Sequence, residues 1–405
     1  MLIHSRKPPQ VPFQEITEFL QQLVSIPSVE SEKAIATCVA EKLTALGFKP
    51  LLIGDPEHPS VICHHQAATA TKTIWLQSHL DTAPIGDRTQ WQHDPFAGTI
   101  VDDPCGICEA ARIYGRGVAD SKGAIALFIY LAKALRDSPQ FNGSLFLGFD
   151  AQEESGNFSG IREILHHAPK ADVCILGYQS FDEIAIGARG WLRLKLTTYG
   201  KAAHAGSRSR KGRNAVHALI RACSALLELQ LEGQTEPFFE FGSTFNIAQI
   251  DGGEAINVVP DKAEAFIDIR LLPSQQTQSI VQTIKEELRN LQRSRSDFQY
   301  ALEVLQSEPA YLTDPGHPFV QILQKNAAQY RVASENEIQD LALVANGAGS
   351  VGNVISRLGI PIINAYGCES GNVHAPNEWL NLKTIEPVFQ SYWASLVQFC
   401  LNGEY

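Results

Sequence analysis

Two periods of apolar and polar positions alternate along the first half of this chain. Phe13 to Val24 and Ser31 to Leu46 place apolar residues at i, i+3 and i+4, which predicts amphipathic helices. Thr73 to Ser78 is a short apolar run ending at His79 and reads as a buried strand. Ser121 to Leu135 has a helical pattern and is entered through the turn Tyr114-Gly115-Arg116-Gly117. Ser144 to Phe149 reads as a second strand, Gly160 to His167 as a helix and Val173 to Leu176 as a third strand. Strands that alternate with helices predict an α/β fold with a mostly parallel sheet covered on both faces.

The period changes at Trp191, where Leu192, Leu194 and Leu196 alternate with Arg193 and Lys195, as in a sheet with one wet face. Asn214 to Leu229 and Gln275 to Leu291 read as helices; Ser243 to Ile250, Lys262 to Leu272 and Phe298 to Leu305 read as strands. The resulting β-α-β-β-α-β order is that of a ferredoxin-like α+β unit. A helix-strand-helix pattern resumes after Pro318, with a helix from Val351 to Leu358, a strand from Pro361 to Ala365 and a closing helix from Thr384 to Leu401. The prediction is one α/β catalytic domain, residues 1–188 and 307–405, interrupted by an inserted domain at 189–306.

Composition narrows the function classes. The net charge of −11 argues against a general nucleic-acid surface, and no run of 18 apolar residues or leader-like apolar segment predicts membrane contact or export. Eight cysteines spread over 405 residues form no disulfide framework, so a reducing, cytoplasmic setting is expected. Cys105 and Cys108 lack the second pair of a zinc ribbon and read as two loop thiols. The basic run from Arg208 to Arg213 is a solvated patch or a means of attracting an acidic substrate.

Ligands of open α/β sheets bind beyond the carboxyl ends of the strands. Four segments there carry chemistry: His79-Leu80-Asp81, the Asp120 turn, Asp150 to Gly156 with Glu153-Glu154, and Asn372 to Glu378 with His374. Histidine and carboxylate donors without thiolate suit Zn²⁺, with Mn²⁺ or Co²⁺ as alternatives. Asp81 is placed to hold the second nitrogen of a metal-bound His79. Of the adjacent Glu153 and Glu154, one can bind metal while the other takes a proton from water.

These segments, with Gly115 to Gly123 and Trp91 to Phe96, resemble the M20 metallopeptidase family over nearly the whole chain. The resemblance implies two zincs sharing Asp120, one also held by His79 and a later carboxylate, the other by Glu154 and His374. It makes Glu153 the general base. Gly200 to His204, followed by Gly212, Asn214 and Ala215, resembles the lid domain, whose histidine, here His204, reaches the active site of a partner subunit and steadies the oxyanion. Asn257 and Arg270 match the positions that hold a substrate carboxylate.

Two departures alter the expectation. Where relatives carry a carboxylate after the Glu pair, this chain reads Gly177-Tyr178-Gln179-Ser180, so Tyr178 is an atypical metal or substrate residue. A phenol, with an unperturbed pKa of about 10, is the poorer ligand, and one tight metal position is expected with a doubtful second. Gly347 to Asn353 also differs, its Asn resembling the acetyl-lysine deacetylase branch. The expected protein is a homodimeric, metal-dependent amidohydrolase acting beside a free carboxylate, on an N-acyl amino acid or short peptide. Within that class a deacylase is preferred to a dipeptidase or carboxypeptidase; the alternative of another class is a degenerate member that only binds. Catalytic roles fall to Glu153, Asp81 and His204.

Overall fold

The computed structural model describes residues 8–67, 70–102, 111–208, 211–229, 235–331 and 340–401. The Cys105–Cys108 pair, and Ser209 and Arg210 of the basic run, lie outside the described residues. The chain divides into two compact units: residues 1–187, 313–344 and 350–405, and residues 188–312 with 345–349. The second unit therefore runs past the 306 boundary expected from sequence, because strand Gln299–Glu308 continues beyond Leu305 and the short strand Tyr311–Leu312 follows it.

The first unit is built on a six-stranded sheet in the order Pro50–Gly54, Pro59–His65, Gly143–Asp150, Lys72–His79, Val173–Leu176, Ile362–Ile363. The last three ladders are parallel and the first two antiparallel. All eight residues of Gly143–Asp150 are buried, as expected of a central strand covered on both faces. The hairpin of Pro50–Gly54 and Pro59–His65 escaped the sequence reading, since Leu51 and Leu52 are exposed and the segment lacks strand alternation.

Helix Phe13–Val24 buries Ile16, Phe19, Leu20 and Leu23 on one stripe, whereas Gly123–Arg136 is apolar nearly all round and correspondingly buried. The pattern had started that second helix at Ser121; Asp120 and Ser121 instead have non-helical backbone, and the helix begins at Gly123. Among the described residues no helix is long and apolar enough to cross a membrane.

A small antiparallel sheet, in the order Ser370–Gly371, Trp379–Asn381, Arg112–Tyr114, Thr99–Val101, positions the site. Trp379 pairs with Tyr114, so the loop holding His374 is tied to the start of the turn holding Asp120.

The second unit has the order Thr244–Gly252, Lys262–Leu271, Gly190–Tyr199, Gln299–Glu308, every ladder antiparallel. With helices Ala215–Leu227 and Thr277–Ser294 this is the ferredoxin-like arrangement. Leu192, Leu194, Leu196, Leu219, Ile267, Ile269 and Leu288 form its core. The polar positions of the same strands pair on the other face, Lys195 with Glu264 and Arg193 with Asp268.

Candidate metal centre

Strand register brings the first residues together. His79 pairs with Asp150 in the parallel ladder, so the segments leaving those two strands run side by side. The Glu154 N–H donates to Asp81 Oδ2 at 2.8 Å, and the Ala83 N–H donates to Glu154 Oε1 at 3.2 Å. Val173–Leu176 flanks the other side of Lys72–His79, which sets Tyr178 beside His79, ring centroids 5.9 Å apart.

Asp120 is reached by a turn that begins at Gly117, whose φ of +83° and 2.6 Å clearance between a built Cβ and Thr82 exclude a side chain there. The buried Glu378 carboxylate then accepts from the N–H groups of Gly117 (3.0 Å), Ala119 (2.9 Å) and Asp120 (3.1 Å) and from Arg116 (2.6 Å). Asp120 thus sits on a rigid loop and presents one oxygen to each histidine: Oδ1 lies 2.9 Å from His79 Nε2, and Oδ2 lies 3.1 Å from His374 Nε2. The same His374 nitrogen is 3.0 Å from Glu154 Oε1. Donor atoms of His79, Asp120 and Glu154 lie within 4.8 Å of one another.

His79 is 1% exposed, and its Nδ1 is 3.0 Å from the backbone carbonyl of Asp81 and 3.4 Å from the Asp81 carboxylate. Asp81 therefore holds the imidazole chiefly through its main chain, while its carboxylate holds the Glu154 amide. Burial by itself would lower the His79 pKa; the Asp120 charge and hydrogen bond carry it well above the usual range. Hydrogen bonds to Asp120 and then Glu154 raise His374 to about 10. Burial pushes Asp120 up, and the charges of His79 and His374 more than offset this, holding it well below the usual carboxylate range. The centre is a pocket of acidic oxygens that favours positive charge on both imidazoles, and a divalent cation in place of those protons suits this donor set.

Burial raises Glu153 to about 7, with His79 opposing and Asp120 reinforcing the shift. Its Oε1 accepts a 2.7 Å hydrogen bond from the Tyr178 hydroxyl. Pattern reading missed three supports. Arg116 and Glu378 brace the Asp120 turn, and the buried Glu32 accepts from the Gln152 N–H (3.1 Å) while contacting His58 (2.6 Å). Asn353 caps its own helix by accepting from the Ser350 N–H at 2.8 Å, a structural task.

The remaining sequence-selected residues lie in the second unit. His204 is exposed, pairs with Val258 in a short ladder and accepts from the Gly206 N–H through Nδ1 at 3.1 Å. The exposed Asn257 adjoins it, its carbonyl accepting from the Ala205 N–H at 2.9 Å. Arg270 stands apart on the Lys262–Leu271 strand, its guanidinium 2.7 Å from Asp268.

A family model described as the peptidase dimerisation domain of M20 proteins matches residues 186–296. The chain is 29% identical over 325 residues to a succinyl-diaminopimelate desuccinylase of Paracoccus denitrificans, covering 77% of this chain and 81% of that protein. It is 30% identical over 326 residues to the protein of the same name from Methylobacterium nodulans, covering 75% and 77% respectively. Among solved structures, an M20 family metallo-carboxypeptidase from Sulfolobus solfataricus superposes with a TM-score of 0.78 at 21% identity, covering 96% of this chain and 99% of that one.

Proposed function

The chain belongs to the M20 metallopeptidase family and is a metal-dependent amidohydrolase of acyl-amino acids or peptides; within that class we propose an N-acyl-amino-acid deacylase. One observation carries the metal reading: Asp120 directs one oxygen at His79 and the other at His374. Asp120, Glu154 and His374 would hold one ion tightly, zinc in the first instance, with Co²⁺ or Mn²⁺ as substitutes. His79 and the other Asp120 oxygen would make a weaker second position, because Tyr178 brings no anionic oxygen. When bound, a divalent ion acidifies water and polarises the scissile carbonyl.

The chain's own residues supply the rest. Glu153 accepts a proton from the attacking water and passes it to the departing amine nitrogen. His204, from the partner subunit of a homodimer, donates a hydrogen bond to the developing oxyanion. Asn257 and Arg270 hold the free carboxylate, the guanidinium exchanging its Asp268 contact for a bidentate one. The dimerisation-domain match supports the dimer, as do the exposed Ile220, Leu227 and Ile250 of the second unit. The desuccinylase relatives support an acylated amino acid as substrate; the free thiols of the described cysteines support a reducing, cytoplasmic setting.

The test is hydrolysis of N-succinyl and N-acetyl amino acids and of dipeptides with Zn²⁺, Co²⁺ or Mn²⁺, using Glu153→Gln and Glu154→Gln as controls. Glu153→Gln should keep its metal and lose at least about 10²-fold in rate, the lower end for loss of a general base, whereas Glu154→Gln should lose metal. Equal metal loss in both would reverse the two roles. Dipeptides as the preferred substrates would replace the deacylase by a peptidase, and no turnover with any metal would leave a binding protein.

A further inference from the structure

We propose that Tyr178 is a positioning residue for Glu153, fixing through its hydroxyl the carboxylate that handles the proton. The inference rests on Glu153 being the base.

The geometry has three parts. First, the backbone that carries the phenol is braced. The Gly177 N–H donates to the Gln77 carbonyl at 2.7 Å, and a Cβ on Gly177 would come within 2.5 Å of Ala124 and 2.9 Å of Ser78. On the other side, a Cβ on Gly367 would lie 2.9 Å from the Tyr178 carbonyl oxygen. Second, the ring is tilted by 38° beside the buried His79 ring. Third, the hydroxyl donates to Glu153 Oε1 at 2.7 Å, which directs its proton at the base and leaves Oε2 for the proton of the attacking water.

The neighbouring carboxylate is held differently. Glu154 is oriented by the Ala83 amide and by His374, whereas among the described residues Tyr178 is the hydrogen-bond donor to the Glu153 carboxylate. A glutamate side chain samples several rotamers, and a charge-assisted bond from a braced partner selects one. Misplacing a reacting group by about 1 Å can cost on the order of 10²-fold in rate. The phenol at the sequence position of the expected metal carboxylate therefore acts on the base.

Tyr178→Phe removes the hydroxyl alone. The expected result is unchanged metal stoichiometry, KM within about twofold, and kcat reduced by roughly 10- to 100-fold. In a Glu153→Gln background the same change should cost nothing further, because the residue acts through Glu153. Unchanged kcat, loss of a metal equivalent, a raised KM at constant kcat, or additive losses in the double variant would each overturn the assignment. A fully active Glu153→Gln enzyme would instead overturn the base reading; an inactive Glu153→Gln beside a fully active Tyr178→Phe would remove only this inference. A second measurement leaves Tyr178 untouched. Recorded above pH 8, where Glu153 is ionised, the ultraviolet difference spectrum between the parent protein and Glu153→Gln should carry a tyrosine signal, since the phenol loses its anionic acceptor, and a flat tyrosine region would overturn the contact.

Discussion

The Arg116 guanidinium meets the Glu378 carboxylate at 2.6 Å with both side chains 1% exposed. The pair closes the turn that presents Asp120, because Glu378 also accepts three backbone N–H groups of that turn. Removing one partner of such a pair leaves a buried charge uncompensated, at a cost of about 3–5 kcal/mol. Glu378→Ala should therefore lower the midpoint of thermal unfolding and weaken metal binding, although Glu378 is proposed as no ligand. Calorimetry and metal titration on the variant check both effects; unchanged metal affinity would detach the turn from the centre.

Metal binding should release protons. Hydrogen bonds to Asp120 and Glu154 push His374 up to about 10, and the Asp120 charge holds His79 above its usual range, so the acidic surroundings favour protonated rings that must give up a proton to ligate. Apparent metal affinity should rise as pH rises from 7 towards 10 and fall on acidification. Titration calorimetry in two buffers of different ionisation enthalpy counts the protons, and no buffer dependence would contradict the assignment of the histidines.

A His204 that acts across the dimer predicts complementation. Mixing His204→Ala protomers with Glu153→Gln protomers should restore part of the activity, since one site of the mixed dimer has both residues intact. Mixed samples that stay inactive despite demonstrated subunit exchange would confine His204 to its own chain.

Burial raises the thiols of Cys368 and Cys400 to about 12. The unfolded thiol ionises near about 8.5, so these groups contribute stability that is fully present below that pH and is lost as pH rises through about 12. Alkylation of the native protein at pH 8 should leave both unlabelled, and denaturant stability should decline from pH 9 upward. Rapid native labelling of either thiol would contradict its burial.

Periodicity made most of the framework legible. Each helix or strand announces its burial within a few residues, as in the leucine alternation of Gly190–Tyr199 or the apolar stripe of Phe13–Val24. Ends of strands in the open sheet likewise marked out His79, Glu153 and Glu154, whereas Asp120 and His374 are brought to them by a turn and a loop of the small antiparallel sheet. The hairpin at the sheet edge was not legible, because its exposed Leu51 and Leu52 break the alternation that signals a strand. Nor was the target of the Tyr178 hydroxyl, which depends on the parallel pairing of three strands. Glu378 reaches the Gly117 amide across 261 residues, and a hydrogen bond at that separation leaves no local pattern. Sequence by itself determined which chemical groups this protein owns and which elements carry them. Tertiary structure alone decided that Asp120 faces both imidazoles, that Asp81 holds His79 through its carbonyl, and that the phenol rests on Glu153. Those contacts are set by strand register and by loops closed over long separations, which hydrophobic patterning does not encode.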